Sequence, residues 1–135
     1  MSDVELTESL VHEAMHSVLF IVDLRQRFAS EDRVLFHEHA RSPWSGASRN
    51  IATYVHACFV WFGLWQFWML GLRSGAFTDA AIEGRLEYIG RGFRDRSVME
   101  PFEGIPDSLP ASRTFRRRCA RTRKACTARL RPLSC

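Results

Sequence analysis

No stretch of this sequence alternates polar and apolar residues long enough to read as a β-strand, and no segment repeats another, which argues against sheet and solenoid architectures. The four cysteines, at 58, 119, 126 and 135, stand too far apart for a Cys-x-x-Cys pair, so they point to neither a zinc ribbon nor a dithiol redox centre. The opening Met1-Ser2-Asp3-Val4-Glu5 is acidic where a secretory signal would be basic, and the expected location is the cytoplasm. The last 25 residues hold no acid, no zinc-finger spacing and one aromatic, Phe115. Base-stacking platforms are therefore absent from them, and nucleic acid is not the expected partner.

What is present is enough for one modest domain: 135 residues, 46% of them apolar and 25% charged. The net charge of +4 hides a split. Residues 1–110 carry 10 arginines against 15 carboxylates, while residues 111–135 carry eight arginines and one lysine. The expected organisation is a helical domain over residues 1–110 followed by a basic tail over 111–135 that is disordered or only weakly helical, because the tail shows no lasting apolar period.

Three helices are predicted. Over residues 4–28, Leu6, Leu10, Met15, Val18, Leu19 and Val22 recur at helical spacing, with Asp3, Glu5 and Glu8 early and Arg25 and Arg27 late, as the helix dipole favours. Ser42-Pro43-Trp44-Ser45-Gly46 reads as a turn within a polar loop over 29–48. Residues 51–72 form a mostly apolar run long enough to cross a bilayer. Yet His56 and Gln66 lie inside it, the four aromatics Trp61, Phe62, Trp65 and Phe67 sit at its middle rather than its margins, and Arg49 and Arg73 flank it, so a buried core helix is favoured over membrane insertion. A third helix spans about 79–94 with Thr78 as N-cap, and past Pro101 the prolines at 106 and 110 are expected to end regular structure.

The chemistry lies in the HExxH motif His12-Glu13-Ala14-Met15-His16. Histidines four apart on a helix share a face, with Cβ atoms about 5–6 Å apart, close enough for both rings to reach one metal. Glu13 would project beside that metal as a base. The metzincin continuation fails, since Leu19 and Val22 occupy the places of its glycine and third histidine. A thermolysin-like site would need a glutamate from a following helix, and Glu31, Glu38 and Glu83 have no such context. His56, amid Tyr54, Val55, Phe59 and Val60, is the better third ligand; the ordinary alternative is a neutral ring satisfied by one backbone hydrogen bond. Arg49, seven positions earlier, would lie about 10 Å along the same face if the helix begins there, suiting a small dicarboxylate; the alternative is an exposed arginine at a helix start. His37, Glu38 and His39 are weaker ligand candidates.

Three blocks in order, Leu10-Val11-His12-Glu13-Ala14-Met15-His16, Ser42-Pro43-Trp44-Ser45-Gly46-Ala47-Ser48-Arg49 and Val55-His56-Ala57-Cys58-Phe59-Val60, resemble the HExxH-type 2-oxoglutarate-dependent peptide β-hydroxylases of bacterial peptide-modification clusters. The resemblance covers residues 6 to about 95. It implies an oxidoreductase, a non-haem Fe(II) dioxygenase that uses 2-oxoglutarate on a peptide substrate. In that reading His12, His16 and His56 hold the metal, and Arg49 anchors 2-oxoglutarate. Members of that family carry a long segment before the motif, whereas 11 residues precede His12, so a partial domain needing an upstream segment or partner protein is expected.

The fold expected is mainly α, with two long helices facing each other across a metal and the 29–48 loop roofing the site. Peptide hydroxylation is the favoured activity. The rivals are a zinc hydrolase in which Glu13 activates metal-bound water, and an inactive or membrane-associated fragment.

Overall fold

A computed structural model describes residues 2–25, 37–103 and 110–129. The chain is mainly helical, as expected. The elements are α1 (Asp3–Arg25), a hairpin of β1 (His39–Arg41) and β2 (Ser48–Asn50), α2 (Ile51–Ser74), α3 (Asp79–Arg94), a 3₁₀ turn at Arg96–Val98, α4 (Glu100–Glu103) and α5 (Pro110–Arg129).

α2 is the central element. Asn50 starts it, its side chain accepting from the Thr53 backbone N–H at 2.8 Å. Gly75 stops it at φ 66°, the left-handed conformation that glycine adopts without penalty. It has 24 residues and contains an 18-residue stretch of mean hydropathy 1.3, the length and composition of a membrane span. Here, however, Val60, Leu64, Trp65 and Trp68 are buried, and α1, α3, α5 and the hairpin all pack against it.

α3 follows the predicted period: Ile82, Leu86, Ile89 and Phe93 fall on one stripe and are all buried. Thr78 is its N-cap residue, although its side chain makes no capping bond.

The turn expected at Ser42–Gly46 is present, but the polar loop expected to roof the site is corrected. Residues 26–36, with the last predicted turn of the first helix, lie outside the described residues. In the remainder, β1 pairs antiparallel with β2, Ala40 opposite Arg49. The turn between them closes with Ser42 N–H donating to Ala47 O at 2.9 Å and Gly46 N–H to Ser42 O at 2.8 Å. This places Trp44 in the core rather than above it. Its indole N–H donates to Ile89 O at 2.9 Å, and its ring stacks on Trp61 and meets Phe93 edge-on.

The basic segment is also corrected, because residues 110–129 form a helix rather than a disordered tail. Pro110 tolerates a helix start, where its missing N–H is not needed. Cys119, Thr122 and Cys126 recur at helical spacing and are buried, with Cys126 beside Gly90 of α3. Small side chains carry this interface, so the segment lacks the large apolar residues from which a packed helix is normally read. Pro110 does not end regular structure either, since α4 contains Pro101 and α5 begins at Pro110, while Pro106 lies outside the described residues.

α1 docks differently. None of its residues is fully buried. Val4, Val11, Met15 and Leu19 lean on the core, while Leu6, Leu10, Phe20, Ile21 and Leu24 remain exposed on its outer side. Glu8 ties it down. Its carboxylate accepts from Trp68 Nε1 of α2 at 2.8 Å and from Arg85 of α3 through both Nε, at 2.7 Å, and Nη2. Its side chain is only 14% exposed.

Replacing Glu8 by Ala strands a half-buried guanidinium and an indole N–H, and should lower unfolding free energy by roughly 2–4 kcal/mol; a denaturant midpoint equal to wild type would show that the tie is idle. At Gly92 an added Cβ would fall 2.1 Å from the Trp44 indole nitrogen. Gly92→Ala should therefore destabilise by about 1–3 kcal/mol through overpacking. Gly84, whose Cβ would meet nothing within 4 Å, should gain about 0.5–1 kcal/mol as alanine. Thermal melts of the two variants moving in the same direction would contradict this packing.

Candidate functional site

The inward face of α1 brings its two histidines against α2. His12 and His16 are one turn apart, and Met15 between them packs on Gly63, where a Cβ would lie 2.6 Å from the Met15 sulfur. Gly63 thus allows the close helix approach that carries His16 to His56. Nε2 of His12 and Nε2 of His16 are 3.0 Å apart, and Nδ1 of His16 and Nδ1 of His56 are 3.2 Å apart. His16 and His56 are stacked, with ring centroids 5.2 Å apart and planes 19° apart. Trp61, itself stacked on Trp44, meets His12 edge-on at 6.2 Å.

The sequence-predicted histidines are therefore brought together, but as a row. His56 faces the opposite edge of the His16 ring from the edge that faces His12, so the three nitrogens do not surround one point. Among the described residues no group of three or more His, Cys, Asp or Glu side chains is arranged to hold a metal ion. The pair is another matter. Two nitrogens each about 2.1 Å from one ion, at an angle near 90–110°, lie about 3.0–3.4 Å apart, which is the separation of the two Nε2 atoms.

Each short nitrogen–nitrogen contact requires one protonated and one bare nitrogen. A neutral His16 has one of each, so it accepts from one neighbour and donates to the other, and the three rings form a continuous hydrogen-bonded row. Burial, then the nearby His16, holds His12 and His56 below the ordinary histidine value of 6.5. Both are thereby kept in the neutral form that a metal or a hydrogen-bond row needs.

Clefts open at the two ends of the row. One, of about 540 Å³, is lined by His16, Ser17, Phe20, Ile21 and His56. The other, of about 360 Å³, is lined by Glu5, Glu8, Ser9, His12, Glu13 and Arg85. Glu13 is exposed beside His12 in the second.

Arg49 lies on β2 and is exposed, one residue before the cap of α2. The helix begins at Ile51, so the reading of Arg49 as two turns from His56 on one face does not hold, and Arg49 lines neither cleft. His37, Glu38 and His39 are exposed at the hairpin, where His39 Nδ1 is 2.9 Å from the His37 carbonyl. Of the cysteines, Cys58 and Cys119 are buried free thiols, and burial pushes Cys119 up to about 12 and Cys58 well above its usual value. Protonated at neutral pH, they are not thiolate ligands.

Sequence reasoning missed Glu8, which it used only as a dipole partner. The signal was there: Val4, Glu8, Val11, Met15 and Leu19 share a stripe, and a carboxylate on an inward stripe requires a partner. Arg85, one position from Leu86 on α3, is that partner.

No family model, curated protein or solved structure matches this chain.

Both rings bind protons less readily in the fold than in the unfolded chain. Their contribution to stability is therefore full above about pH 6.5 and is lost as pH falls through their lowered values. The melting temperature should drop between pH 7 and 5, and His12→Gln with His56→Gln should flatten that drop. An unchanged drop in the double variant would place the responsible groups elsewhere.

Proposed function

We propose that this chain is the metal-binding part of a non-haem Fe(II) oxidoreductase that hydroxylates a peptide side chain with 2-oxoglutarate. The observation that carries the metal is the 3.0 Å separation of the His12 and His16 Nε2 atoms on one helix face. His12 and His16 would hold the ion through Nε2; the assignment of His56, which meets the other, Nδ1 edge of His16, as the third ligand rests on the resemblance of the sequence blocks. Histidine nitrogens suit Fe(II) as well as Zn(II). When bound, Fe(II) supplies the capacity to activate dioxygen against a 2-oxo acid.

The residues of this chain do the rest. Glu8, braced by Arg85 and Trp68, fixes the rotation of α1 and so the direction of both ligand rings. Trp61 and the Trp44 turn behind it limit the tilt of His12. The cleft at His16 and His56, bordered by Phe20 and Ile21, offers an apolar wall to a peptide side chain. The use of 2-oxoglutarate and its anchoring by Arg49 rest on the family resemblance of the three sequence blocks.

One observation favours a second reading. Glu13 stands exposed in the cleft beside His12, where a carboxylate could take a proton from water in a zinc-dependent hydrolase.

Anaerobic purification with Fe(II) should give about one iron per chain. His12→Ala and His16→Ala should abolish it, His56→Ala should weaken or abolish it, and the double variant His37→Ala with His39→Ala should retain it. Adding 2-oxoglutarate should produce a weak visible charge-transfer band, and Arg49→Ala should weaken that binding by roughly 1.5–3 kcal/mol, the scale of a charge-assisted hydrogen bond. Iron retained after both His12 and His16 are replaced would remove the proposed site. Zinc-dependent peptide cleavage indifferent to 2-oxoglutarate would establish the hydrolase instead.

A further inference from the structure

α5 divides its cations between two sides. Arg116 donates to the Phe102 carbonyl and Arg118 lies over the Phe62 ring at 5.4 Å, so these two flank the buried side that carries Cys119, Thr122 and Cys126. Arg113, Arg117, Arg121 and Lys124 are exposed. Their spacing of four, four and three residues sets them in one row on the opposite side, about 16 Å long at 1.5 Å per residue. Among the described residues none of the four forms a salt bridge, and no carboxylate occurs anywhere in residues 111–135.

Folding gives no reason for this row. Like charges four apart on a helix repel and weaken it, and the helix is attached through its other side. We propose that the outer face of α5 binds the phosphodiester backbone of a nucleic-acid duplex without reading its sequence. A duplex presents one phosphate per about 1.7 Å of axis, so about nine lie within reach of the row, and arginine pairs with phosphate through two parallel N–H donors. Ala120 stands between the cations, and Thr127 and Ala128 follow the last of them, all exposed and small enough for the row to lie against the backbone. A helix that enters a lipid surface sets large apolar residues opposite its cations and free to insert; on α5 that side holds Cys119 and Cys126 and is packed in the protein. A single aromatic, Phe115, on the whole segment argues against single-strand recognition, not against contact with a duplex backbone.

The test is fluorescence anisotropy of the full chain with a mixed-sequence 20-base-pair DNA duplex at 50–200 mM NaCl. Four neutralised phosphates give a slope of log K against log salt of about −3.6, or roughly 100-fold weaker binding across that range. Arg117→Gln with Arg121→Gln should make the slope shallower by about two and lower the 50 mM affinity at least tenfold, with helicity by circular dichroism unchanged. Arg73→Gln with Arg96→Gln, two exposed cations off the row, should bind as wild type. The wild-type slope needs no variant, so a substitution that disturbed the fold would not shield the proposal. No binding at 50 mM, a row variant equal to wild type, or capture by phosphatidylserine vesicles with no binding to the duplex would each overturn it.

Discussion

The carboxylate of Glu8 is the constraint on which the rest depends. α1 has no fully buried residue, so apolar packing alone fixes its rotation weakly. Glu8 receives one N–H from α2 and two from α3, and it sits one turn before His12 and two before His16. Turning α1 by even one residue would move the carboxylate off both partners and swing the histidines away from α2. A half-buried ion pair of this kind adds modest net stability, because desolvation offsets much of the attraction. Its loss is costly, and its geometry sets the register.

Behind the histidines the support is aromatic and tight. Trp44 is held by the carbonyl of Ile89, stacks on Trp61, and leaves no space at Gly92. Trp61 meets His12. Tyr88 donates to the Trp44 carbonyl at 3.1 Å, so the turn is fixed at both its indole and its backbone. On the neighbouring turn of α2, Gly63 admits Met15. Small residues at crossings and large ones between them bring α1 close to α2 at one level, that of His16 and His56.

Much of the helical framework was legible in the sequence because its elements follow apolar pattern and period: the apolar run over 51–72 marks α2, whose caps Asn50 and Gly75 the structure adds, and the stripe Ile82, Leu86, Ile89 and Phe93 defines α3. The meeting of His12, His16 and His56 was legible from the i, i+4 pair and a histidine set among apolar neighbours. What was not legible depends on tertiary partners. Trp44 reads as a loop residue until Ile89 offers its carbonyl. α5 reads as a charged coil because cysteine and threonine, rather than leucine, form its buried side. The row-like order of the three rings follows from which edge of His16 faces each neighbour, and no spacing rule encodes that.

The central claim is that the rotation of α1 presents His12 and His16 to a single metal ion. An anaerobic crystal structure of the Fe(II)-soaked protein, with anomalous data at the iron edge, tests it most directly. The account predicts one anomalous peak about 2.1 Å from Nε2 of His12 and Nε2 of His16, with the Glu8 to Arg85 and Trp68 bonds intact. A peak elsewhere, or no peak with the His12 and His16 nitrogens still 3.0 Å apart as a hydrogen bond, would contradict it.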